Sequence, residues 1–167
     1  TPYWVSYADQ IKMAEGVPVF VDATQENHFK VTVEQLEAAR TTKTKVLLLN
    51  SPSNPTGMVY TREELQAIGD WAVAHDILIL ADDIYGRLVY NGTTFTPISS
   101  LSEAIKKQTI VINGVSKTSA MTGWRVGFAV GDSEIIAGMS KIISQTTSNL
   151  TTVSQYAAIE ALTGSQD

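Results

Sequence analysis

In the stretch SKTSAMTGWR, residues 116–125, a single lysine, Lys117, sits among small polar residues, and Arg125 follows eight positions later. A lysine amine can add to a carbonyl to form a Schiff base, and it can carry a proton to and from carbon. Comparable chemistry stands elsewhere in the chain. Asn54 lies in SPSNPTG, Asp82 ends the run ILILAD, and Tyr85 comes three residues after Asp82. Together these offer a nucleophile and base, a carboxylate, hydrogen-bonding amide and phenol groups, and a cation that can grip an anion. They can act together only if the elements carrying them bring them to one place.

Those elements alternate. PVFVD (18–22) has the composition of a strand, and KVLLLN (45–50) and ILILAD (77–82) are continuously apolar, as strands covered on both faces should be. TIVING (109–114) and VGFAVG (126–131) add two further strands. Between them, Thr32 with Gln35 and Thr61 with Glu64 have capping-box spacing and predict helix starts. Leu65, Ile68 and Ala72 then share one helical face, SSLSEAIKK holds a short helix, and residues 132–163 are helical in two segments. The expected fold class is α/β, a mostly parallel sheet with helices on both faces, in a single domain over residues 1–167. One connection breaks the parallel rule. Gly114 to Arg125 is too short for a crossover helix, so strand 126–131 is expected to run antiparallel.

In open α/β sheets, ligands sit beyond the carboxyl ends of the strands. Asn54 follows 45–50, Asp82 and Tyr85 close 77–82, and Ser116, Lys117 and Arg125 follow 109–114. The set suits pyridoxal 5'-phosphate. That cofactor needs an amine for its Schiff base, a carboxylate for its ring nitrogen, donors at its ring hydroxyl and a cation at its phosphate.

Four blocks in order, TPYWVSY, NSPSNPTG, ADDIYGRLVY and NGVSKTSAMTGWRVGFAVG, resemble the class I/II aminotransferases of the fold-type I pyridoxal-phosphate enzymes, nearest the bacterial-type aspartate aminotransferase subgroup. The resemblance runs over essentially the whole chain. It implies that Lys117 carries the Schiff base, that Asp82 pairs with the pyridine nitrogen, and that Asn54 and Tyr85 bond the ring oxygen. It further implies that Arg125 grips the phosphate and that Trp4 stacks on the ring. Asp83 is the rival for the ring-nitrogen role, and the family spacing of Asp three before Tyr selects Asp82. Asp83 stands where the subgroup commonly has Glu. Gly114 replaces a phosphate-binding serine of some relatives, which leaves Ser116 to serve. The implied reaction moves an amino group between an aspartate-like amino acid and a 2-oxo acid, in a homodimer of the intact protein. A lyase or decarboxylase on the same fold, a non-catalytic regulatory domain, and an inert core are the alternatives.

Composition narrows the partners. A net charge of −5 argues against nucleic acid and anionic lipid, and the lack of cysteine excludes thiolate metal sites and cysteine nucleophiles. Apolar runs such as VLLL are too short to span a bilayer, and the cytoplasm is the default setting. The opening TPYW and the ending TGSQD are expected to be cuts through a larger protein, with the upstream phosphate-binding turn, the carboxylate-binding arginine and the small domain outside it. The remaining aromatic and basic residues have structural readings. Tyr3 and Tyr7 are assigned to packing, Trp71 and Trp124 to core or loop anchors, and His28, His75, Lys106 and Lys107 to solvated positions. No metal site is expected.

Overall fold

A computed structural model describes residues 1–165, so the expected domain 1–167 extends two residues outside the described part. Ten elements are named here: α1 (Ser6–Met13), α2 (Val33–Ala39), β1 (Val46–Asn50), α3 (Arg62–Ala74), β2 (Leu78–Asp82), α4 (Glu103–Lys107), β3 (Thr109–Gly114), β4 (Gly127–Val130), α5 (Ser133–Thr146) and α6 (Thr152–Thr163). The strands form one sheet in the order β1-β2-β3-β4. The β1–β2 and β2–β3 pairs are parallel, and β4 returns antiparallel to β3. The short connection from Gly114 to Arg125 therefore makes the turn its length dictates, through a single 3₁₀ turn at Thr122–Trp124.

Both capping boxes form. Thr32 accepts from the Gln35 amide while the Gln35 side chain accepts from the Thr32 amide, and Thr61 and Glu64 repeat the arrangement at the start of α3. Each box satisfies two backbone donors that the first turn would otherwise leave unpaired. Along β2 burial alternates: Ile79 and Ala81 are buried, while Leu78 and Leu80 are half-buried. The buried face packs with Leu65, Ile68 and Ala72 of α3 and Ile105 of α4 into the main core. A second, smaller cluster of Val115, Val126 and Ala158 ties α6 to the β3–β4 end.

One expectation needs correction. Residues 18–22 do not form a strand; the element order runs from α1 directly to α2. The Val21 carbonyl accepts from the Thr1 amine, the Asp22 carbonyl accepts from the Gln35 side chain, and the Ala23 amide that follows donates to the Thr1 carbonyl. Scattered bonds of this kind do not make a ladder, and Val17, Val19 and Phe20 stay exposed. His75 is exposed, as expected, and has neighbours of its own. It caps the end of α3 one turn after Trp71, so its ring lies 5.6 Å from the Trp71 ring, and its Nε2 is 3.4 Å from Glu37. Glu37 also accepts from Trp71 Nε1 at 2.8 Å and pairs with Arg40 at 2.6 Å.

Candidate active site

The carboxyl ends of β1 and β2 carry the first part of the site. Asn50, the last residue of β1, pairs in register with Asp82, the last of β2. Its side chain ties two neighbours together. Nδ2 donates to the Asp82 carbonyl at 2.9 Å, and Oδ1 accepts from the Asn54 amide at 2.8 Å. Asn54 in turn donates from Nδ2 to the Tyr85 hydroxyl at 3.4 Å. The NPTG turn closes with the Gly57 amide donating to the Ser53 carbonyl at 2.8 Å. Gly57 has a φ of +71°, a conformation that favours glycine. Pro52, Asn54, Gly57, Tyr85 and Leu88 border a cleft of about 310 Å³.

Asp82 is held at both oxygens. Oδ1 accepts from the Ile84 amide at 3.1 Å, and Oδ2 accepts from the Tyr7 hydroxyl at 2.7 Å. Each carboxylate oxygen keeps a lone pair for a further donor. Asp83 faces a different environment. It is 7% exposed, and burial, with the charge of Asp82 adding, pushes its carboxyl up to about 7. The adjacent aspartates are thus unlike in kind: Asp82 is a partly exposed acceptor at the rim, and Asp83 is a buried acid beneath it.

Lys117 and Arg125 stand on the loop after β3. The Lys117 amine lies 5.9 Å from the centre of the Tyr85 ring, which brings it to the same side as Asn54 and Tyr85. Ser116 is half-buried just before it. Arg125 is exposed, has a left-handed φ of 54°, and donates from Nη1 to the Thr122 carbonyl of its own loop at 2.9 Å. Gly114 is fixed by sterics, since a Cβ there would lie 2.6 Å from the Val126 carbonyl oxygen. A serine cannot occupy that point of this β3–β4 pairing without moving the backbone. Trp4 is 40% exposed, with its ring edge-on to Tyr7 at 5.3 Å.

Sequence reasoning missed Tyr7 and Asn50. Tyr7 is buried and burial, reinforced by its bond to Asp82, pushes its phenol well above the usual tyrosine range. Its signal was the three-residue spacing from Trp4, which puts both rings on one side of a helical turn. Asn50 was visible as a polar residue closing an apolar strand. Neither signal names Asp82, the partner both share, because it is distant from each in sequence.

The donor set fits an oxygen-bearing aromatic heterocycle: a carboxylate for a ring N–H, an amide and phenol for a ring oxygen, and an amine beside them. The sequence profile described as aminotransferase class I and II matches residues 1–167. Over its full length the chain is 76% identical to an asparagine–oxo-acid transaminase of Streptococcus mutans, and over 99% of it is 58% identical to an aspartate aminotransferase of Bacillus sp. YM-2. It spans 42% of the length of each of these relatives. The solved aspartate aminotransferase of Rhizobium meliloti superposes on the whole chain with a TM-score of 0.97 at 42% identity, with 42% of that structure covered.

Proposed function

Since the chain belongs to the class I and II aminotransferases, we propose that it forms the cofactor-binding core of an enzyme moving an amino group between an aspartate-like amino acid and a 2-oxo acid. The observation that carries this reading is the meeting of Asp82, Asn54, Tyr85 and Lys117 beyond the carboxyl ends of the strands. The 76% identity to an asparagine–oxo-acid transaminase favours asparagine beside aspartate as amino donor. The family is pyridoxal-phosphate dependent, and the residues fit that cofactor.

When bound, pyridoxal phosphate supplies an electron sink for charge developing at the amino acid Cα. Asp82 would hold the ring nitrogen in its protonated form, a task that suits an acceptor with both oxygens already oriented. Asn54 and Tyr85 would bond the ring oxygen. The Lys117 amine would attach the cofactor and serve as the general base that takes and returns a proton. Arg125 uses one nitrogen on Thr122 and keeps further donors, which with Ser116 would hold the phosphate. Trp4 would cover one face of the ring.

The proposed assembly is a homodimer in the cytoplasm. Along α5 and α6, Ile142, Val153, Tyr156 and Ile159 are 67%, 71%, 71% and 56% exposed, an apolar surface that a second copy would cover. Among the described residues no helix is long and apolar enough to cross a membrane.

The test is chemical. Reduction of the cofactor-loaded full-length protein with labelled borohydride, followed by peptide mapping, should place the label on Lys117. A label on Lys12 or Lys141, with none on Lys117, would sink the reading. Assays with asparagine or aspartate and a 2-oxo acid then fix the amino donor.

A further inference from the structure

Tyr7 makes one contact that packing does not require. Its ring, buried on α1, meets Trp4 edge-on at 5.3 Å, and that contact needs no hydroxyl. The hydroxyl is nevertheless aimed at Oδ2 of Asp82, 75 residues away in sequence, at 2.7 Å. A phenol donating to a carboxylate makes a charge-assisted bond, stronger than a neutral pair and more directional. The Ile84 amide holds the other oxygen and the Asn50 side chain holds the Asp82 backbone carbonyl. Of these three restraints only Tyr7 comes from outside the sheet and its loops.

We infer that Tyr7 is a positioning residue for Asp82, fixing the orientation of the carboxylate and keeping it an acceptor toward the cofactor's ring nitrogen. The inference rests on the reading of Asp82 as the ring-nitrogen partner. A phenol suits the task because it donates its proton without itself carrying a charge. A lysine or arginine at the same point would neutralise the carboxylate, and a second acid would repel it. The segment from Trp4 into the first turn of α1 would then serve both sides of the site, with Trp4 at the ring face and Tyr7 behind the carboxylate.

The experiment is a double-mutant cycle in the full-length protein, read as the dissociation constant of pyridoxal phosphate from absorbance titration of the cofactor-free form. Tyr7→Phe keeps the ring against Trp4 and removes only the hydroxyl. It should weaken binding about 10-fold, the size of one hydrogen bond to a charged group, and should have no further effect in an Asp82→Ala background. An equal loss in both backgrounds assigns Tyr7 to packing and overturns the inference, as does a Tyr7→Phe protein that no longer melts cooperatively. If Asp82→Ala weakens binding and Tyr7→Phe does not, the inference alone falls. If Asp82→Ala leaves binding unchanged, the reading of Asp82 falls and the inference with it.

Discussion

Asp82, Asn54 and Tyr85 hang on a hydrogen-bond frame that starts inside the sheet, whereas Lys117 and Arg125 stand on a loop bonded chiefly to itself. In the first region Asn50 ties the strand end to its own turn and to Asp82, and the Tyr7–Asp82, Asn50–Asp82 and Asn54–Tyr85 links cross between segments far apart in sequence. In the second, the Ser119 and Met121 amides return to the Val115 carbonyl, the Ala120 amide to Lys117, and the Arg125 guanidinium to Thr122. Val115, fully buried, anchors the loop at one end, while Lys117 and Arg125 remain exposed. Ala120 and Arg125 both hold left-handed backbone without being glycine, at a cost of about 1–2 kcal/mol each. The contrast has a chemical sense. On the proposed reading, groups that set a ring's electronic state gain from being fixed, and a lysine that would exchange its bond and carry protons gains from a segment tied down only at its ends.

The sharpest way to break the comparison is at the paired aspartates. In the full-length protein, on the proposed function, Asp82→Ala removes the fixed carboxylate and should lower kcat/KM by roughly 10²-fold or more. Asp83→Ala should cost less than about 10-fold in rate and act mainly on folding, because its carboxyl is buried behind the rim. Steady-state kinetics on both variants decides, and equal losses would end the distinction.

A smaller effect tests what the fixed region costs. The folded-state value of Asp83, about 7, lies above its ordinary 3.8. Between those values the native state binds more protons than the unfolded chain, so stability falls as pH rises through this window and stays low above it. Discounted for residual solvent screening, the penalty at pH 8 is about 2 kcal/mol. Asp83→Asn should therefore stabilise the protein at pH 8 relative to the unmutated chain and do so much less at pH 5. Denaturant unfolding at both pH values measures this. A gain of the same size at each pH would show that the acid is not titrating in the core.

The smallest expected change concerns the tie between strands. Asn50→Ala leaves the Asp82 carbonyl and the Asn54 amide without their shared partner, a loss of about 1 kcal/mol in stability. Cofactor affinity should fall several-fold while the lysine loop, which Asn50 does not touch, keeps its borohydride labelling at Lys117. Protease protection of residues 115–125 that changes in step with Asn50→Ala would show the two regions to be coupled.

Much of this was legible in the chain itself. Capping boxes at Thr32 and Thr61, the apolar runs of β1 and β2, and the short span before β4 all act over a few residues, so composition and spacing were enough to place them. The same holds for the positions of Lys117, Asp82, Asn54, Tyr85 and Arg125 at or after the strand ends. Segment 18–22 went wrong for the complementary reason. A strand is completed by its neighbour, and no count of valines and phenylalanines within PVFVD says whether a neighbour is there.

From α2 onward the order and type of the elements were legible in the sequence, as was the strand-end position of the side chains proposed to carry chemistry, because local backbone preference and strand-end position are short-range properties. Only the tertiary structure decided that Tyr7 bonds Asp82, that Asn50 joins Asp82 to Asn54, that Asp83 is buried as its neighbour is not, and that a side chain at position 114 would strike Val126. Each of these depends on the distance between residues brought together by packing, and hydrogen bonds and steric contacts act only within a few ångströms.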